Sequence, residues 1–232
     1  MWNGKLKAIT FSYDDGITQD KRLVKLLNRY DLRATFNLNT EKLGTAHALW
    51  LYDRVTVAHC KFRPEEVRAV YEGHEIAGHT LGHHRLTQIE DDAEVIRQVE
   101  EDRVRLSELA GYEVEGFAYP CGGINYDDRV SDLIRNHTGV RYARTTVCND
   151  GYDPQTDLFQ FHPTVYHLHF DKLFSHAEEF LEMKPTSPKL FYVWGHSYEF
   201  DMDDTWDRFE EFCRLISGKN DIFYGTNKEV LL

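Results

Sequence analysis

Cysteine is scarce in this chain of 232 residues, and the few cysteines present are scattered. The four are Cys60, Cys121, Cys148 and Cys213, and no two of them have the CxxC or zinc-ribbon spacing that marks a cysteine metal site. Without an export signal, such isolated cysteines are expected to be reduced thiols. The spacing therefore argues against both a disulfide framework and a cysteine-ligated metal.

Long hydrophobic runs are also absent. No apolar stretch reaches the roughly 18 residues that a membrane-spanning helix needs, so no membrane span is expected. The first residues, MWNGKLKAITF, lead directly into a strand-like pattern and lack the architecture of a signal peptide. The prediction is a cytoplasmic protein, although an exported protein whose leader has been removed would look the same.

Basic residues are outnumbered, with 27 Lys and Arg against 39 Asp and Glu, which gives a formal net charge of −12. This balance argues against nucleic acid or an anionic membrane as a partner, and is more compatible with a neutral or cationic substrate. A hydrophobic content of 41% and a charged content of 28% are typical of a soluble globular protein. Nothing in the pattern indicates an oligomeric state.

The chain contains no fixed-period repeat, low-complexity segment or linker, so we expect a single domain over residues 1–232. Short apolar runs predict strands at 6–11, 34–38, 74–78, 116–120, 140–143, 158–161, 190–194 and 222–224. Helical spacing predicts helices at 18–30, 64–71, 91–109, 127–136, 171–183 and 206–216. Residues 39–62 show no period and are interpreted as a long connection. This alternation predicts an α/β fold, a distorted (β/α) barrel of seven or eight mostly parallel strands.

Polar side chains follow four of these strands. Asp14 and Asp15 end the first strand in AITFSYDDG, the segment 79–83 follows the third, Cys121 the fourth, and His196 the strand LFYVW. Active sites of such barrels lie at the carboxyl ends of the strands, so these residues are expected to converge. One of the two adjacent carboxylates could then hold a metal while the other accepts a proton from water.

His79 and His83 are four positions apart, which would place both imidazoles on one face of a helical turn. Together with Asp15 they would form a site of two histidines and one carboxylate with open positions for water and substrate. The alternative is that one histidine caps a turn and the other packs in the core. His196, at the edge of a dry interior, is a candidate general acid, or else a core histidine.

The residues that follow these strands resemble the motifs of a known family. AITFSYDDG, GHTLGHH and LFYVWGH are similar, in order and approximate spacing, to the first, second and fifth motifs of the polysaccharide deacetylases, carbohydrate esterase family 4. The resemblance covers nearly the whole chain. It implies a distorted (β/α) barrel that binds a divalent metal, usually zinc and sometimes cobalt or nickel, and that acts on acetylated carbohydrate.

Carried over by position, the resemblance implies roles for the predicted site residues. Asp14 corresponds to the catalytic base and Asp15 to the metal-ligating carboxylate. His79 and His83 correspond to the two metal-binding histidines, and His196 to the catalytic acid.

The sequence also departs from the family pattern. The third motif is usually Arg-x-Pro followed by an aromatic residue, but here it is Ala118-Tyr119-Pro120-Cys121, so the arginine is missing. The backbone N–H of Cys121 could still serve as the oxyanion donor. Arg144 could replace the missing guanidinium, or form a structural salt bridge. The fourth motif, an Asp-Trp element, has no match over 153–169, which leaves open what orients His196.

The predicted reaction is metal-assisted hydrolysis of an acetamide, in which Asp14 takes a proton from water and His196 protonates the departing amine. An ester needs that acid less, so O-deacetylation is also compatible with the site. Tyr119 and Trp194 are candidate sugar-stacking residues, although most aromatic side chains in such a barrel pack in the core. Two alternatives are a hydrolase of a small cytosolic amide on the same fold and a sugar-binding module without catalytic activity.

Overall fold

The computed structural model describes residues 2–51 and 55–232, and its strands and helices alternate along the chain. The strands are β1 (Lys7–Asp14), β2 (Ala34–Leu38), β3 (Ala48–Leu51), β4 (Val55–Ala58), β5 (Glu75–Gly78), β6 (Gly116–Ala118), β7 (Tyr142–Arg144), β8 (Val165–Tyr166), β9 (Lys189–Gly195) and β10 (Ile222–Tyr224). The helices are α1 (Asp20–Arg29), α2 (Val67–Val70), α3 (Asp92–Ala110), α4 (Asp128–His137), α5 (Phe170–Glu182), α6 (Glu199–Met202), α7 (Trp206–Ile216) and α8 (Asn227–Leu231).

Eight of these strands form one parallel sheet with the order β7-β6-β5-β2-β1-β9-β8, and β10 pairs with the first residues of β1. β1 lies at the centre because it pairs with β9 along almost its whole length and with β2 over its second half. All eight residues of β1 are buried, as expected for a strand covered on both faces. The predicted α/β class with a distorted barrel is confirmed.

The two edges of the sheet approach each other through residue Phe161. Arg144, at the end of β7, forms an isolated parallel bridge with Phe161, whose N–H donates to the carbonyl of Ala143 at 3.0 Å. The sheet thus curls toward closure, with the carboxyl ends of its strands around one opening.

Aromatic side chains form the centre of the main core between the sheet and the helices. Phe11 of β1 meets Phe209 and Phe212 of α7 edge-on, each with a ring-centroid distance of 6.3 Å. α1 contributes Leu23 and Leu27, which are fully buried. The apolar faces predicted from helical spacing therefore pack against the sheet, and burying each large side chain contributes about 2 kcal/mol. No helix in the described ranges is long and apolar enough to cross a membrane.

Two predicted segments differ from the structure. The stretch 39–62 is not an irregular connection: it contains a 3₁₀ turn at Thr40–Lys42 and the antiparallel hairpin β3–β4. The prediction of a strand over 158–161 was wrong, since Leu158–Gln160 is a 3₁₀ turn. The turn forms for a local reason: the carboxylate of Asp157 accepts a hydrogen bond from the Phe159 N–H, which favours a turn over a strand.

Candidate active site

A cavity of about 620 Å³ opens at the carboxyl ends of the central strands. The predicted site residues that line it are Asp14, Asp15, His79, His83, Cys121, Trp194 and His196. They come from the ends of β1, β5, β6 and β9 or from the segments directly after them. The parallel arrangement of these strands is the reason that residues far apart in the sequence reach one cavity.

Asp14, the last residue of β1, is almost fully buried and strongly held. The guanidinium Nη2 of Arg144 lies 2.5 Å from its Oδ1 and 2.6 Å from its Oδ2, and the side-chain amide of Asn37 donates to Oδ1 at 2.8 Å. Burial acts to raise the pKa of Asp14, but the charges of Arg144 and of the nearby histidines outweigh it and lower the pKa below its usual value. Asp14 is therefore an oriented, ionised carboxylate.

Asp15 has a left-handed backbone, with φ of 83°. Its Oδ2 lies 3.2 Å from Nε2 of His59, and its Oδ1 lies 3.3 Å from the ammonium of Lys61. Burial acts to raise the pKa of Asp15, yet the hydrogen bond from His59 and the charge of Lys61 hold it well below the usual range. A positive φ at a non-glycine residue is a form of strain that occurs at functional sites.

His79 follows β5 and is fixed by hydrogen bonds on several sides. Its Nδ1 lies 2.8 Å from the carbonyl of Ala118, so Nδ1–H donates and Nε2 faces the cavity as a free lone pair. Its backbone N–H donates to Asp102 of α3 at 3.1 Å, and its carbonyl accepts from the side chain of Asn39. Burial lowers the pKa of His79 to about 4, so its imidazole is neutral near pH 7.

The loop after β5 is not the helical turn that the spacing of His79 and His83 predicted. Thr80 and His83 have positive φ values of 64° and 62°, and the loop is held by the N–H of His84, which donates to the Thr80 hydroxyl. A tight left-handed loop, rather than a helical face, brings the two imidazoles together, with ring centroids 5.0 Å apart.

Asp15, His79 and His83 each offer one ligand atom, and these atoms lie within 4.8 Å of one another. Nε2 of His83 is 3.6 Å from Oδ1 of Asp15. Two neutral imidazoles and one carboxylate are a donor set that suits zinc, cobalt or nickel. The residues present thus fit a divalent metal.

His196 follows β9 and faces Asp14 across the cavity, with its Nε2 3.9 Å from Asp14 Oδ2. Its Nδ1 lies 3.1 Å from Oε2 of Glu199, and the same oxygen accepts from the His196 backbone N–H at 3.0 Å. Burial acts to lower the pKa of His196, but Glu199 and the two aspartates outweigh it and raise the pKa to about 9. Glu199 also lies 2.8 Å from Nε2 of the buried His167.

We compared the chain with models of known protein families. A model described as polysaccharide deacetylase matches residues 3–143, which is more than half of the chain. The chain belongs to the polysaccharide deacetylase family. The resemblance predicted from the motifs is thereby confirmed. Comparison with curated proteins gave no significant match.

Solved structures of this family share the fold. A probable polysaccharide deacetylase from Pseudomonas aeruginosa is 16% identical, with a TM-score of 0.68, over 97% of this chain and 88% of that one. A CE4 domain of a xylanase from the hindgut metagenome of Trinervitermes trinervoides is 16% identical, with a TM-score of 0.60, over 97% and 89%. A CE4 pseudoenzyme from Bacillus anthracis is 14% identical, with a TM-score of 0.56, over 97% and 66%. At these identities the likeness concerns the fold alone.

The contact of Arg144 with Asp14 bears on the arginine that this polysaccharide deacetylase chain lacks in the third family motif. Sequence analysis left open whether Arg144 replaces the missing guanidinium or forms a structural salt bridge. Its side chain is completely buried, bonds Asp14, and lies over the ring of Trp194 at 4.7 Å. The guanidinium that contacts the expected base thus comes from the end of β7, not from the Ala118–Cys121 segment.

Glu199 and the basic residues around Asp15 are site residues that sequence reasoning did not assign. Glu199 was one of several acidic residues after His196 that could line the cleft or face solvent, and its carboxylate lies 3.1 Å from the imidazole. His59 and Lys61 lie in the stretch interpreted as a connection, where no local pattern marks them. The only signal available was the position of Glu199 three residues after His196.

Cys121 lies at the cavity in a left-handed conformation, with φ of 67°. Its Sγ is 3.8 Å from Nδ1 of His83, so its thiol contacts a predicted metal ligand. Burial raises the pKa of this thiol, which favours the neutral form.

The two predicted sugar-stacking residues differ in their positions. Trp194 lines the cavity, and its indole N–H donates to Cys148 Sγ at 3.3 Å. Tyr119 is fully buried in the core beside Phe117, and its hydroxyl donates to the carbonyl of Phe159 at 2.8 Å. Because its ring is enclosed, we withdraw Tyr119 as a stacking residue. Another aromatic residue, Tyr198, lines the cavity.

Proposed function

We propose that this chain is a metal-dependent hydrolase that removes acetyl groups from N-acetylated, or O-acetylated, carbohydrate. The observation that carries the proposal is that Asp14, held by Arg144, the donor set Asp15, His79 and His83, and His196 all lie around one cavity. Membership of the polysaccharide deacetylase family supports the substrate class.

Asp15, His79 and His83 would hold the divalent ion, most favourably zinc, with cobalt or nickel as alternatives. The chemistry that such an ion supplies is Lewis acidity, which acidifies water and polarises a carbonyl oxygen. The protein contributes the neutral state of both imidazoles: burial lowers the pKa of His79 to about 4 and also lowers the pKa of His83. Neither histidine then needs to lose a proton to become a ligand near pH 7.

Asp14 is the proposed general base. Its ionised form accepts a proton from the attacking water, and Arg144 with Asn37 fixes the orientation of the carboxylate. Asp14 ends β1, one residue before the proposed ligand Asp15, so the base would lie next to a carboxylate that would hold the metal.

His196 is the proposed general acid. With a pKa raised to about 9, its imidazole carries a proton at neutral pH and can donate it to the leaving nitrogen. Glu199, whose Oε2 lies 3.1 Å from Nδ1, stabilises the charged imidazolium, and Nε2 lies on the side that faces Asp14. An amide substrate needs this proton because an amine anion is a poor leaving group.

The backbone N–H of Cys121 is the proposed donor to the developing oxyanion, and Trp194 is the proposed wall against the sugar ring. Cys121 and Gly122 line the cavity, and Cys121 Sγ lies 3.8 Å from Nδ1 of His83. The left-handed backbone at Cys121 sets the direction of the preceding peptide, which is a form of preorganisation.

The test is acetate release from N-acetylglucosamine oligomers, with acetylated xylan and a small acetamide in parallel, by protein stripped of metal and reloaded with zinc or cobalt. Metal-dependent release from a carbohydrate is the expected result. Replacement of Asp14 with Asn should abolish release while zinc still binds at one per chain. Full activity of that variant, or release from the small amide alone, would overturn the proposal.

A further inference from the structure

Lys61 lies beside the proposed metal ligand Asp15 and is almost completely buried. Its ammonium donates to the backbone carbonyl of Asp15 and lies 3.3 Å from Oδ1, the same oxygen that faces His83. Only 4% of its side chain is exposed. A lysine is almost never buried to this degree without a counter-charge, and Asp15 is the carboxylate in contact with it.

The other carboxylate that lines the cavity is also paired. Asp14 is matched by Arg144 and Asp15 by Lys61, so both carboxylates that line the cavity already have a cation. The charge of the proposed ligand Asp15 is therefore already compensated. The ammonium of Lys61 would be a like charge beside a divalent ion held by Asp15, in a buried setting where screening is weak.

The backbone at Lys61 does not depend on this side chain. The Lys61 N–H donates to the carbonyl of Thr45 at 2.8 Å, and Lys61 also forms a bridge with Ile17 next to β1. The carboxylate of Asp15 has a second partner, because its Oδ2 lies 3.2 Å from Nε2 of His59. His59 is in turn 3.1 Å from His47. Removing the ammonium should thus change the charge of the site without displacing the ligand.

We propose that Lys61 is a resident counter-cation of Asp15: it compensates the ligand when no ion is bound and weakens the affinity of the site for a divalent metal. The inference rests on the metal site of the proposed function. Lys61 is outside the ligand set, yet it would limit how tightly the site binds its metal.

The experiment measures zinc affinity by competition with a chromophoric chelator at pH 7. The Lys61→Met variant should bind zinc at least tenfold more tightly than the unaltered protein. The Lys61→Arg variant, which keeps the charge, should stay within about threefold. Lys42 is the matched control, because it is an exposed lysine that lines the same cavity, and Lys42→Met should also stay within about threefold.

Thermal unfolding of each variant checks the fold, and Lys61→Gln replaces Lys61→Met if the latter does not fold. Unchanged or weaker zinc binding in a folded, neutral variant would overturn the inference, as would tighter binding in Lys61→Arg or equal tightening in Lys42→Met. Absence of acetate release in protein that does bind zinc would count against the proposed function alone. Absence of zinc binding in every variant would overturn both.

Discussion

Arg144 and Asp14 form a buried ion pair that joins the ends of two strands, β7 and β1, although 130 positions separate them in the sequence. One guanidinium nitrogen lies within 2.6 Å of both carboxylate oxygens. The arginine side chain has no exposed surface and the aspartate side chain only 2%. The pair therefore has two roles, since it holds the expected base in place and compensates a charge inside the barrel.

Replacing Arg144 with Met should destabilise the protein by about 3–5 kcal/mol, because it leaves a buried carboxylate without its cation. The same change should abolish acetate release, since the pKa of Asp14 would rise and its orientation would be lost. Urea unfolding followed by circular dichroism measures the first effect.

The control for this change is Arg141→Met. Arg141 forms an exposed salt bridge with Glu115 at 2.9 Å, and its side chain is 55% exposed, so the loss should be below about 1 kcal/mol. Equal destabilisation by the two substitutions would contradict the role given to the buried pair.

Replacing Glu199 with Gln should move the alkaline limit of activity to lower pH. A general acid works while it is protonated, so His196, with a pKa of about 9, supports activity below that pH. Glu199 is the strongest of the groups that raise this pKa, and its neutral replacement should lower the value. The pH dependence of kcat/KM and NMR titration of His196 would measure the shift.

The matched control is Glu211→Gln, an exposed position on α7. Its pH profile should coincide with that of the unaltered protein. If the alkaline limit of Glu199→Gln stayed in place while its total activity fell, Glu199 would have only a structural role.

Much of the fold could be predicted because its central strands are long and apolar. β2 was predicted with its observed bounds, and the start of β1 was placed within one residue. β8 has only two residues, and the hairpin β3–β4 has no clear alternation of apolar and polar residues. Neither therefore gave a usable sequence signal for a strand. Short strands depend on their neighbours for pairing more than on their own sequence.

The candidate site, like the fold, could be predicted only in part. The residues at strand ends, such as Asp14 and His79, could be predicted to converge because topology alone brings them together. Their partners could not, because Glu199 is one acid among several after His196, and only the path of the chain places it against the imidazole. Lys61 is a lysine without any local motif.

Replacing His79 with Gln should reduce zinc affinity by at least a hundredfold, because it removes one of the three proposed ligands. Isothermal titration with zinc measures this loss. His84→Gln is the matched control, since His84 is adjacent to the proposed ligand His83 but is not one of the three residues whose ligand atoms converge. The control should bind zinc within about twofold of the unaltered protein. Strong binding by His79→Gln, or loss in His84→Gln, would show that the ligand set is wrong.

The buried carboxyl of Asp20 predicts a pH dependence of stability. Burial raises its pKa to about 7, against hydrogen bonds from the hydroxyls of Ser197 and Tyr71 that favour the ionised form. The folded state thus keeps a proton that the unfolded state, with the ordinary value of 3.8, releases. The free energy of unfolding should therefore fall as the pH rises from about 4 to 7, by up to about 1.4 kcal/mol per pH unit from this group.

Urea unfolding across this pH range, in the presence of a chelator, compares the protein with Asp20→Asn. The variant should show a smaller decrease, because Asn does not titrate. It should keep the part that comes from Asp102, whose pKa burial also raises to about 7. A variant slope equal to that of the unaltered protein would mean that Asp20 is already ionised at pH 4. Its two hydroxyl partners would then stabilise the charge more than burial destabilises it.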